Sequence, residues 1–73
     1  MPKDDAQAVI WFRKAAEAGD GSGMSALGDM YRDGRGGLPK DEAQAVTWYR
    51  KAAQLHDAHA QEALRLLGQA GPN

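Results

Sequence analysis

Two histidines, His56 and His59, flank Asp57 in the segment His56-Asp57-Ala58-His59. On a helix the i, i+3 spacing brings two imidazoles to one face, and with the carboxylate they offer three ligands to a divalent metal such as zinc. A second segment, GDGSGMSALG at residues 19–28, suggests different chemistry. Its Gly21-Ser22-Gly23-Met24-Ser25-Ala26 satisfies G-x-G-x-x-A, the loose form of the dinucleotide loop whose backbone N–H groups hold a pyrophosphate. Ser22 and Ser25 are nucleophiles by residue type. Asp4-Asp5 and Asp41-Glu42 are paired carboxylates of the kind used in acid–base catalysis. Which of these sets works depends on the elements that place them.

The chain has 73 residues, 42% of them hydrophobic and 26% charged, with a formal net charge of -1. A single small domain of this size buries only about 60% of its unfolded surface. The balanced charge argues against an electrostatic nucleic-acid binder. With no cysteine, disulfides and thiolate metal sites are excluded. No apolar run approaches the roughly 20 residues of a membrane span, and no signal peptide is recognisable. The composition suits a soluble protein, cytoplasmic or periplasmic.

The chain repeats itself. Residues 2–20, PKDDAQAVIWFRKAAEAGD, align with residues 39–57, PKDEAQAVTWYRKAAQLHD, at a period of 37, with 13 of 19 positions identical. Such a period marks stacked helix pairs, each hiding its apolar face against its neighbours. Each copy begins with a capping-box pattern, Asp4-x-x-Gln7 and Asp41-x-x-Gln44, behind a proline. Acidic residues fill the first turn, and Arg13-Lys14 and Arg50-Lys51 lie nearer the end, as the helix dipole favours. Ala45, Trp48, Tyr49 and Ala52 form an i, i+3, i+4, i+7 stripe, and Ala8, Trp11, Phe12 and Ala15 repeat it, so these aromatics are expected in the core. A different helix is expected over 21–33, capped by Asp20 and ended by Gly34. A fourth spans 58–67, with Ala60, Ala63, Leu64 and Leu67 on one stripe and Gly68 ending it.

The repeat decides between the candidate chemistries. Shifted by one period, GDGSGMSALG becomes HDAHAQEALR: the aspartate cap and the Ala-Leu face persist, while all four glycines change. A helix precedes the glycines, whereas a dinucleotide loop needs a strand there. The segment reads as an interhelical turn. His56 and His59 correspond to Gly19 and Ser22, and no further ligand is apparent, so they read as polar residues at a helix start. Nothing activates the serines, and dipole stabilisation accounts for the acidic pairs. No catalytic residue, cofactor or metal is expected.

Leu27-Gly28-x-Met30-Tyr31-x-x-Gly34-x-Gly36, followed by Lys40-Asp41, Ala45 and Trp48-Tyr49-x-Lys51-Ala52-Ala53, resembles the Sel-one-like repeat, a relative of the tetratricopeptide repeat. The resemblance implies an all-α fold: a short solenoid of about four antiparallel helices in B-A-B-A order, forming a single repeat domain over 1–73. Residues 2–18 are then the B-type helix of a partial repeat, 21–54 a complete repeat, and 58–68 a degenerate terminal A-type helix. The chain departs from the family pattern at Gly23 (usually Ala), at Gly37 (an extra loop residue), at Arg65 (usually Gly) and at Gly68 (usually Tyr). The resemblance also implies a non-catalytic scaffold or adaptor for protein–protein contacts, often bacterial, in signalling or secretory settings.

In such a stack the A helices line a shallow groove. Their non-core residues Ser22, Ser25, Asp29, Arg32 and Asp33, with Glu62, Arg65 and Leu66, are expected to look outward. Ser25, Asp29, Arg32, Asp33, Glu62 and Arg65 are the candidate contacts to a protein or peptide partner, with the two arginines suited to carboxylates. No nucleic-acid partner and no membrane insertion are expected. The alternative is a homo-oligomerisation module that assembles through its solenoid ends, where Ile10, Leu55 and Leu66 fall outside the main stripes.

Overall fold

The computed structural model describes residues 2–69 as four helices: α1 (Pro2–Glu17), α2 (Gly21–Asp33), α3 (Glu42–Gln54) and α4 (Ala58–Gln69). The all-α expectation holds, with no strand among the described residues. Short links fold each helix back beside the one before it. α1 packs on α2, α2 on α3 and α3 on α4, while α2 also touches α4, in a slab of 37 × 24 × 16 Å.

Aspartates start three of the helices. Asp20 Oδ1 accepts from the Ser22 N–H at 2.9 Å, Asp41 Oδ1 from the Gln44 N–H at 3.1 Å, and Asp57 Oδ2 from the Ala60 N–H at 2.9 Å. Each satisfies an N–H that the first turn leaves unpaired. The capping box of α3 is half made. The Asp41 N–H donates across to the Tyr31 carbonyl at 2.8 Å, locking the α2–α3 loop onto α2. The two copies differ in where their helices begin. α1 already starts at Pro2, so Asp4 lies inside its first turn. Proline suits a helix's first position, and it is the tethered loop that delays α3 until Glu42.

The link between α1 and α2 is a turn, and the second copy repeats its backbone without its residue. Gly19 has φ +90°, and His56, one period later, has φ +67°. Left-handed backbone costs an L-residue roughly 1–2 kcal/mol, against about 0.5–1 kcal/mol of extra unfolded-state entropy for glycine. His56 is exposed and loses no buried contact on truncation. His56→Gly should therefore raise stability by about 0.5–1 kcal/mol, read as a higher urea midpoint at unchanged slope.

Two apolar clusters form the interior. Ala45, Tyr49, Ala52, Ala60 and Ala63 join α3 to α4, and Val9, Ala16, Leu27 and Met30 join α1 to α2. Met24 and Tyr31 of α2 pack against both, so α2 is the shared wall. Tyr49 is fully buried because Gly28 admits it: a Cβ on Gly28 would lie 2.8 Å from the tyrosine ring.

The aromatic stripe of α1 needs correction. Trp11 is 65% exposed, and the buried residues of α1 are Val9 and Ala16. Its counterpart Trp48 is half-buried and packs against the Val9–Leu27–Met30 cluster. Identical helix positions thus meet different neighbours. Trp48 has α2 beside it, and among the described residues no helix stands in that relation to Trp11. Lysines lie over both indoles, Lys14 at 5.4 Å from the Trp11 ring and Lys51 at 4.8 Å from the Trp48 ring, as cation–π partners.

Candidate functional site

Asp29 is the junction between the polar side chains of α2 and α4. Tyr49, reaching through the gap at Gly28, donates its phenolic hydrogen to Asp29 Oδ1. From α4, His59 Nε2 lies 2.8 Å from Asp29 Oδ2 and 3.0 Å from Oδ1. Arg32, one turn along α2, holds Nη1 3.7 Å from the same carboxylate and Nε 3.2 Å from Asp33. On α4, Glu62 follows His59 by three residues, and Arg65 follows Glu62 by three. Arg65 Nε donates to Glu62 at 3.2 Å, and its Nη2 makes a second bond. Arg32, Asp29 and His59 thus form one linked set across α2 and α4, and Glu62 and Arg65 form a separate pair on α4.

The Arg32–Asp29–His59 set is ordered from beneath. Burial first, then the hydrogen bond to Asp29, holds the Tyr49 phenol well above its ordinary range, so it stays a donor. The Tyr49 and His59 rings also meet edge-to-face, with centroids 6.4 Å apart. Above this anchor, Arg32 and Arg65 remain 36% and 53% exposed. They are steadied by neighbours and still accessible, which suits bidentate recognition of carboxylates.

Of the six expected contact residues, Asp29, Arg32 and Asp33 come together on α2, while Glu62 and Arg65 pair with each other on α4. Ser25 joins neither group. It is 4% exposed, and its hydroxyl donates to the Ser22 carbonyl at 3.1 Å. Ser25 shares a stripe with Gly21 and Gly28. Cβ atoms added to those glycines would lie 3.4 Å from Leu55 Cβ and 2.8 Å from Tyr49, so the stripe faces α3 and its turn. The back-bond to its own helix lets a serine sit there. His59 and Tyr49 belong to the site although the sequence reading left them out. The one available signal was His59 itself, a residue with no counterpart in the first copy.

The two histidines do not converge on Asp57. That carboxylate caps α4, His59 is bound to Asp29, and His56 sits in the preceding turn. In GDGSGMSALG, Gly19 serves the turn and Gly21, Gly23 and Gly28 serve helix packing, with a helix directly ahead of them. No helix of the described residues is long and apolar enough to cross a membrane.

A second feature lies between α3 and α4. Glu42, Val46, Arg50, Leu64, Leu67 and Gly68 line an open groove of about 240 Å³. Val46, Leu64 and Leu67 supply its apolar part, and Glu42 and Arg50 bring one charge of each sign.

No curated protein and no solved structure matches the chain. The family model for the Sel1 repeat matches residues 1–20 and 21–57, with the division falling where α2 begins. Residues 58–69 lie beyond the match. The chain belongs to the Sel1 repeat family, whose tetratricopeptide-like helical repeats generally mediate protein–protein interactions.

Proposed function

We propose that this domain is a non-catalytic scaffold that holds a protein or peptide segment of mixed charge along the α2–α4 face. The observation that carries this reading is the Tyr49–Asp29–His59 tie, which joins charged and polar side chains of α2 and α4. Exposed ion pairs add little to stability, so Arg32 and Arg65 can exchange their own carboxylates for a partner's at small cost. Partner carboxylates fall to Arg32 and Arg65, and partner cations to Asp33 and Glu62.

The test is selection of binding peptides from a displayed random library, followed by anisotropy titration of the selected peptides. Arg32→Glu combined with Arg65→Glu should weaken binding at least tenfold, as reversal of two contacting charges does at interfaces, while circular dichroism stays unchanged. Saturable binding indifferent to the double reversal, or no saturable binding, would refute the scaffold reading.

A second reading, self-association through the solenoid ends, is favoured by the exposed Ile10 and Trp11 at one end and the open α3–α4 groove at the other.

A further inference from the structure

We infer that one copy of this chain docks head-to-tail on the next, with Trp11 of one copy seated in the α3–α4 groove of its neighbour. In this form, which rests on self-association through the ends, the interface is supplied by the chain's own repeat. The groove residues Glu42, Val46, Arg50, Leu64, Leu67 and Gly68 stand one period of 37 after Asp5, Val9, Arg13, Leu27, Met30 and Tyr31. In that earlier set Val9, Leu27 and Met30 are 7%, 0% and 6% exposed. Trp48 packs against them. The groove is therefore the second copy of a site that an indole already occupies within the chain. One period before Trp48 is Trp11, 65% exposed and flanked by Ile10 at 51%. The chain thus carries at one end the side chain that the other end is shaped to take.

The fit is looser than its internal template in one respect and roomier in another. Arg65 stands where Gly28 lets Tyr49 approach, so Phe12, the counterpart of Tyr49, is held farther from α4 of the neighbouring copy. Gly68 stands where Tyr31 fills space, and the volume it leaves is open to the larger ring of Trp11. α4 of one copy and α1 of the next then form an A–B pair in the manner of α2 and α3. The contact joins unlike surfaces, so it does not close on itself: each copy added exposes a fresh groove or a fresh Trp11.

Sedimentation of the folded chain between about 10 μM and about 1 mM, the range for a modest interface, tests this. The weight-average mass should climb steadily without levelling at a dimer. Trp11→Ala and Val46→Lys should each weaken association at least tenfold, and the two variants mixed should form a heterodimer that stops at one seam. That complementation follows because the first keeps an intact groove and the second an intact Trp11. Circular dichroism checks the fold, with Leu67→Lys replacing Val46→Lys if the latter unfolds. A wild-type chain monomeric throughout would overturn self-association itself. Association that survives both variants, or a plateau at a dimer without complementation, would overturn this interface and leave self-association standing.

Discussion

Tyr49→Ala should leave the domain largely unfolded at room temperature. Tyr49 is fully buried, and its ring fills the space between Ala45, Ala52, Ala60 and Ala63, none of which can expand into a cavity. Removing a large aromatic from such a site costs about 3–5 kcal/mol. A chain of this length has a total stability of only about 4–11 kcal/mol. The loss also frees α4 twice over, because the ring is its packing partner and the phenol holds the carboxylate that receives His59. Tyr49→Phe separates the two roles. It keeps the ring and removes one hydrogen bond to a charged group, a loss of about 1.5–3 kcal/mol. Urea melts followed by circular dichroism should order the proteins wild type, then phenylalanine, then alanine. An alanine variant melting cooperatively near the wild-type midpoint would show that the ring is not the keystone of the α3–α4 cluster.

Gly36→Ala should be the most damaging change outside the helices. Its φ of +67° is left-handed, and a Cβ there would overlap Val9 Cγ2 and sit 2.7 Å from the Asp5 carbonyl oxygen. Backbone strain contributes about 1–2 kcal/mol. The overlap adds about 1–3 kcal/mol, since an oxygen of the α1 backbone cannot step aside. The loop would lift from α1 and pull Arg35 away from Asp5, where Nη2 and Oδ1 are 2.8 Å apart. Gly37 supplies the control. Its φ is +85°, yet a Cβ there meets nothing within 4 Å, so Gly37→Ala carries the strain without the collision. The alanine at 36 should therefore lower the urea midpoint clearly more than the alanine at 37. Equal losses would mean that the loop does not press on α1.

What the sequence made legible is what its two copies share. The caps at Asp20, Asp41 and Asp57, the glycine that closes α2 with φ +69° and the 45–49–52 stripe are local patterns, and the structure has them where the residues point. Trp11 escaped that logic because burial is decided by the element opposite, and two identical positions face different elements. Ser25 escaped because α2 is hemmed in by the helices around it, leaving little of its surface free. The small residues Gly21 and Gly28, on the same stripe, marked the close approach. The Asp29–His59 contact was hidden for the opposite reason. One period away these residues become Leu66 and Ser22, so nothing in the repeat records their meeting, thirty residues apart in the chain.

Each helix here leans mainly on the ones next to it in order, and the seams resemble one another. A barrel or a sandwich must close, and closure dictates how many strands it can hold. This architecture carries no such arithmetic. Inserting or deleting a 37-residue unit would leave every remaining seam with the partner it already has, so the length of the array is free to drift while the grammar of each junction stays fixed.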